Sequence, residues 1–106
     1  MSHALDTLFV TITARQAAGD ADASYTARLL KEGVAKCAKK FGEEAVETAL
    51  AAVSGDKAQL AAESADALYH LMVLWAAAGI TPDDVYAVLQ TRQTQSGLVE
   101  KASRKS

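Results

Sequence analysis

The chain has 106 residues, of which 50% are hydrophobic and 23% are charged. A chain of this length can bury a core without disulfides, so we expect a single domain over residues 1–106. The formal net charge of −2 gives no basic excess for binding nucleic acid, and the single cysteine, Cys37, excludes an internal disulfide framework or a cysteine-rich zinc site.

No segment of the chain has the pattern of a membrane anchor or a secretory signal. The longest apolar run, residues 71–78, is far shorter than the roughly 20 residues of a membrane span. The N-terminus lacks the basic and apolar regions of a signal peptide. We therefore expect a cytoplasmic protein that binds neither membrane nor nucleic acid.

The first part of the chain predicts two helices. Abundant alanine and a single proline favour helix throughout. The first predicted helix covers residues 4–18, and Ser24 is a suitable N-cap for a second helix through Leu30. Gly33 ends or kinks the second helix, because glycine is a poor helix former. The apolar residues that recur with helical spacing on the first helix are Leu5, Leu8, Phe9 and Ile12.

Two longer helices are predicted next, over about residues 34–53 and 57–78. The turn between them has Gly55 as the glycine that follows a helix end and Asp56 as the N-cap of the next helix. Gly79 ends the second of these helices. The apolar stripe of the first helix is Val46, Ala49, Leu50 and Val53, and the predicted core face of the second is Leu68, Leu71, Met72 and Trp75.

A last helix is predicted to begin at Pro82, after a cap at Thr81, with Asp83 and Asp84 in its first turn. It fades after Gln95 into a polar tail that is basic at its end. Short connections favour antiparallel neighbours. The sequence therefore predicts an all-α fold, an antiparallel bundle of four or five helices.

Two acidic pairs lie on the two long helices: Glu44-x-x-Glu47 and Glu63-x-x-Asp66. Their spacing places both carboxylates of a pair on one helix face. Each pair lies about two turns from the turn at Gly55, so the pairs should meet at similar heights on adjacent helices. Converging carboxylates need a compensating charge, and Mg²⁺ prefers oxygen ligands. The pattern therefore indicates a metal site and phosphate chemistry.

Simpler interpretations of these residues remain open. An acidic pair together with Glu43 is also typical of a solvated helix face, where Lys39 and Lys40 can form stabilising pairs with acids four residues later. On the next helix, Asp66 and His70 could form a buried hydrogen bond. His70 could also orient a carboxylate, act as an acid or base, or fill core space.

Three lysines precede the first acidic pair on the same helix. Lysines beside a metal site can hold the oxygens of a polyphosphate, although an ordinary solvated charge run explains any one of them equally well. Tyr25, near a helix start, could contact a nucleotide or lie at the edge of the core. The three lysines are Lys36, Lys39 and Lys40.

With these residues, the chain resembles the phosphoribosyl-ATP pyrophosphohydrolase family of histidine biosynthesis, from about Leu5 to the C-terminus. The four acids alone indicate only the wider MazG-like all-α nucleotide pyrophosphohydrolases. The longer sequence strings that contain them are more specific for the phosphoribosyl-ATP pyrophosphohydrolase family. The matching strings are Ser24-Tyr25-Thr26, Lys40-Phe41-Gly42-Glu43-Glu44-x-x-Glu47, Glu63-x-x-Asp66-x-x-x-His70, Gly79-Ile80 and the tail over 96–104.

The resemblance implies a MazG-like homodimer that uses Mg²⁺ to hydrolyse the α–β phosphoanhydride of phosphoribosyl-ATP, giving phosphoribosyl-AMP and pyrophosphate. The implied metal ligands are Glu44, Glu47, Glu63 and Asp66. The implied catalytic residues are Glu43, as a further ligand or a base, with Glu44 and Glu47. The implied substrate-binding residues are Tyr25, Lys36, Lys39, Lys40 and His70.

Two other functions fit the same residues. A different MazG-like nucleotide pyrophosphohydrolase would share the site and accept another base or sugar. A non-catalytic helical interaction module would use its apolar faces for a partner and its acids for solubility. The identity of the base, and whether the site spans two chains, stay open at this point.

Overall fold

The computed structural model describes residues 3–21 and 24–93. No strand occurs in these ranges, so the predicted all-α class is confirmed. The expected end of the last helix after Gln95 and the basic tail lie outside the described residues. The five helices are α1 (His3–Ala18), α2 (Tyr25–Glu32), α3 (Val34–Ser54), α4 (Lys57–Ala78) and α5 (Pro82–Gln93).

The helices begin and end where local capping chemistry predicts. The Ser24 hydroxyl accepts a hydrogen bond from the Ala27 amide at 3.1 Å. The Asp56 carboxylate accepts one from the Gln59 amide at 3.0 Å. Gly55 has φ +83°, a left-handed conformation that favours glycine, and ends α3. Together Gly55 and Asp56 turn the chain from α3 into α4, and these two helices pack against each other more extensively than any other pair.

The buried core draws on α1, α2, α3 and α4. Ile12, on the predicted apolar face of the first helix, is 1% exposed, and so is Cys37. Leu5, Leu8 and Phe9 of α1 are partly buried and pack against this cluster. The buried cluster consists of Ile12, Leu29, Cys37, Met72, Val73 and Ala76.

Two apolar faces differ from the simplest expectation. Leu68 was predicted on the core face of α4 but is 44% exposed. The buried residues of α4 all lie in its C-terminal half, where α1 and α2 also pack, and Leu68 precedes them. The apolar stripe of α3 also faces away from this core. We call its three large exposed residues, Val46, Leu50 and Val53, the α3 apolar row.

Within the described ranges, no single helix is long and apolar enough to cross a membrane. Taken together, α4 and α5 have the length and the apolar composition of a membrane span, but the chain bends by 110° between these helices.

Candidate metal centre

Three of the four paired acids converge at one point between α3 and α4. Glu44 on α3 and Glu63 and Asp66 on α4 each offer a carboxylate oxygen, and these oxygens lie within 4.8 Å of one another. Glu44 and Glu63 are half-buried, while Asp66 is exposed. One acid of the first pair therefore meets both acids of the second pair at a similar height, whereas the fourth predicted acid, Glu47, is not in this group.

Glu47 lies beside this cluster rather than within it. It lines a cavity of about 490 Å³ that Glu63 also lines. Because Glu63 belongs to both the cluster and the cavity wall, the acids border a space that can admit a ligand. The remaining lining residues are Leu50, Ala51, Ser54 and Gln59.

The Glu63 carboxylate has a buried oxygen atom, Oε1, without a hydrogen-bond partner in the part of the chain that the structure describes. Its Oε2 atom accepts only a long hydrogen bond, 3.4 Å, from the Gln59 side chain. A buried carboxylate oxygen without a partner is costly. The residues present therefore fit a divalent cation, which would supply the missing positive charge.

The hydroxyl of Thr48, a residue not among those predicted for the site, lies between the backbones that carry two of these acids. The Thr48 hydroxyl lies 2.8 Å from the carbonyl oxygen of Glu44 and 3.0 Å from that of Glu63. Its position, one turn after Glu44, was the only available signal, and that signal is weak because helical threonines often bond to the carbonyl four residues earlier.

His70 contacts the main chain of Asp66 rather than its carboxylate. His70 is 7% exposed, and its Nδ1 atom lies 2.9 Å from the Asp66 carbonyl oxygen. A carbonyl only accepts, so Nδ1 donates, and in the neutral ring Nε2 then accepts from the Tyr25 hydroxyl at 3.4 Å. This arrangement leaves the Asp66 carboxylate available to the cluster.

The three lysines have different surroundings. Lys40 forms an ion pair with Glu43, with Nζ 3.3 Å from Oε1. The hydrogen bond to Glu43, followed by the nearby Tyr25, raises the pKa of Lys40 above its ordinary value. Lys40 is therefore positively charged at neutral pH. The Nζ atom of Lys36 instead lies 3.8 Å from Oε1 of Glu32. Lys39 is exposed.

The site thus combines converging carboxylates, a bordering cavity and a positively charged lysine nearby. Of the predicted residues, the structure brings Glu44, Glu63 and Asp66 together and places Glu47 at the adjoining cavity. It links Tyr25 to His70, and Lys40 to Glu43, in contacts next to the acids.

Comparison with known proteins identifies the family. The family model described as "Phosphoribosyl-ATP pyrophosphohydrolase" matches residues 5–93. A protein of Azospirillum brasilense named "Phosphoribosyl-ATP pyrophosphatase" is 57% identical over 102 residues, covering 96% of this chain and 91% of the relative. A protein with the same name from Parvibaculum lavamentivorans is 59% identical over 100 residues, an alignment that covers 94% of this chain and 91% of the relative. One from Cereibacter sphaeroides is 54% identical over 100 residues, covering 94% of this chain and 96% of the relative. The chain belongs to the phosphoribosyl-ATP pyrophosphohydrolase family.

Proposed function

We propose that this chain, as a single domain over residues 1–106, hydrolyses the α–β phosphoanhydride of phosphoribosyl-ATP in the cytoplasm. The products are phosphoribosyl-AMP and pyrophosphate, and the reaction is the second step of histidine biosynthesis. The observation that carries this proposal is the convergence of Glu44, Glu63 and Asp66 around a buried, unpaired carboxylate oxygen, in a chain of this family.

The proposal includes Mg²⁺ as the cofactor, held by Glu44, Glu63 and Asp66, with Glu47 as a fourth ligand from the cavity wall. The distances among the first three acids support their assignment. When bound, Mg²⁺ would neutralise polyphosphate charge and lower the pKa of a coordinated water. Four carboxylates on two packed helices provide the oxygen ligands that this hard cation prefers.

The other residues of the site position the phosphate groups and accept a proton. Glu43, whose side chain is 47% exposed, is reached by solvent and accepts the proton of the attacking water. Its partner Lys40, with Lys36 and Lys39 on the same helix, holds phosphate oxygens through charge-assisted hydrogen bonds. Phosphoryl transfer requires little covalent chemistry from the protein, so this set of groups suffices.

Tyr25 and His70 act together on the substrate. Tyr25 is 47% exposed and can reach a bound nucleotide, whereas His70 is 7% exposed. His70 fixes the Tyr25 hydroxyl through its Nε2 atom, so it contributes to substrate binding through Tyr25. The edge-on contact of the two rings, with centroids 6.1 Å apart, supports this assignment.

The active form is proposed to be a homodimer. The α3 apolar row exposes 60% of Val46, 64% of Leu50 and 86% of Val53, which is unfavourable for a surface in water. Leu50 also lines the cavity bordered by Glu47 and Glu63. A second copy seated on the row would bury these side chains and complete the wall of the cavity.

The deciding experiment is release of pyrophosphate by the purified protein with Mg²⁺, offering phosphoribosyl-ATP beside ATP and the common deoxynucleoside triphosphates. We expect rapid turnover of phosphoribosyl-ATP and its loss in Asp66→Asn. As the matched control, Asp83→Asn on α5 retains turnover, since Asp83 lies in the first turn of a different helix. Turnover of another nucleotide instead would favour a different MazG-like enzyme, and no turnover of any would favour an interaction module.

A further inference from the structure

We propose that Thr48 is a positioning residue whose hydroxyl ties the backbone of Glu44 to that of Glu63 and thereby sets the spacing of the metal ligands. The Thr48 hydroxyl oxygen lies 2.8 Å from one carbonyl and 3.0 Å from the other. The inference rests on the proposed function, because it assigns a role in holding the metal.

The contact with Glu63 distinguishes Thr48 from an ordinary helical threonine. Thr11 on α1 also donates to the carbonyl four residues earlier, at 3.3 Å, but is exposed. Thr48 is half-buried and has a second acceptor on the neighbouring helix. Both neighbours are carbonyl oxygens, so its single proton is directed to one of them or shared between them.

Across residues 34–54 and 57–78, the approach of this hydroxyl to the Glu63 carbonyl is the only contact at hydrogen-bonding distance that the structure shows between α3 and α4. Apolar contacts are non-directional and permit small axial shifts between helices. A directional bond at Glu44 and Glu63 opposes such shifts where the ligands are attached. Mg²⁺ demands near-ideal octahedral geometry, so a shift of well under 1 Å between the helices would weaken its binding.

The test measures binding of Mn²⁺ alone to the full chain by calorimetry. Thr48→Val keeps the size of the side chain and removes the hydroxyl. We expect its dissociation constant for Mn²⁺ to rise about tenfold, the low end for loss of a group that orients metal ligands. Thr48→Ser, which retains the hydroxyl, should bind within about threefold of the unmodified chain, and Thr11→Val should be unchanged.

Turnover gives a second readout that a merely structural role would not produce. In Thr48→Val, activity at limiting Mg²⁺ should fall about tenfold and recover towards the unmodified kcat at saturating Mg²⁺. If Thr48→Val proves unfolded by circular dichroism, the pair Thr48→Ser and Thr48→Ala replaces it, since these two variants differ only in the hydroxyl.

The outcomes separate this inference from the proposed function. If the unmodified chain binds Mn²⁺ and the variants without the hydroxyl bind it equally well, the role of Thr48 is wrong and the proposed metal site stands. If Thr48→Ser binds as poorly as Thr48→Val, the hydroxyl is not the cause and the inference is again overturned. Absence of Mn²⁺ binding by the unmodified chain overturns both.

Discussion

Glu63 is the residue on which the candidate site depends most, because its Oε1 atom is buried beside two other acids without a partner. Glu63→Gln keeps the shape and removes the charge. We expect pyrophosphate release to fall by at least about 100-fold, as when a preorganised electrostatic contact is removed. The metal-free protein should unfold at the same temperature or higher, because repulsion among the acids is relieved.

Thermal unfolding with and without Mg²⁺ checks this prediction. Mg²⁺ should raise the unfolding temperature of the unmodified chain, since a ligand that binds only the native state stabilises it. In Glu63→Gln that rise should be absent, while Asp83→Asn should keep it. A Glu63→Gln protein that still gains stability from Mg²⁺ would exclude Glu63 as a ligand.

Cys37 is 1% exposed, and burial, with the nearby Glu32, raises the pKa of its thiol. The folded state therefore holds the thiol proton more tightly than the unfolded state. This contribution to stability is complete below the unfolded thiol pKa of about 8.5 and is lost as pH rises through the higher folded value. We expect iodoacetamide at pH 8 to label Cys37 much more slowly than a free thiol, because the reactive form is the exposed thiolate.

Mass spectrometry of the labelling time course tests this, with urea-unfolded protein as the control. Equal labelling rates in native and unfolded samples would show that the Cys37 thiol is accessible.

Residue roles differ in how far sequence could predict them. The acids are recognisable because spacing along a helix and distance from a turn are local quantities. Of the four acids that the spacing brings together, Glu44, Glu63 and Asp66 converge, whereas Glu47 lies at the adjoining cavity. Thr48 and Gln59 were missed because their roles depend on which groups face them across a helix interface. A hydrogen bond between Asp66 and His70 was one of the open interpretations, but spacing alone could not show that His70 contacts the carbonyl of Asp66 while its other ring nitrogen faces the Tyr25 hydroxyl.

At the scale of elements, α4 depends on its N-cap. The Asp56 carboxylate accepts a hydrogen bond from the Gln59 amide at 3.0 Å. Asp56→Ala removes this acceptor and should lower the free energy of unfolding by about 1 kcal/mol, measured by urea denaturation. Asp56→Asn retains a side-chain acceptor and should lose much less; an equal loss in both variants would assign the effect to charge.

Helix boundaries agree closely with the sequence prediction, because helix capping depends on residues that are adjacent in the sequence. The predicted second long helix, 57–78, coincides with α4, and the first ends one residue from the end of α3. Burial was less predictable. Leu68 and Leu50 are apolar residues with helical spacing, yet both are exposed, since burial depends on what packs against the helix.

At the scale of the whole molecule, the α3 apolar row determines assembly in our proposal. The unmodified protein should have about twice the 11.1 kDa mass of one chain in sedimentation equilibrium. Leu50→Lys with Val53→Lys should reduce it to the single-chain mass, because each buried aliphatic side chain contributes about 1.5–3 kcal/mol. Val10→Lys is the control, since Val10 is 66% exposed and lies on α1 rather than on α3. A single-chain mass for the unmodified protein would refute the homodimer.

The two-residue connection between α3 and α4 also bears on the order of folding. Only Gly55 and Asp56 separate these helices, and the converging acids all lie on them. Contacts between neighbouring segments form faster than those that must close long loops. We therefore expect the α3–α4 hairpin to form early in folding, with the acids already adjacent before α5 packs. A cation bound at that stage would stabilise a partly folded chain before its fold is complete.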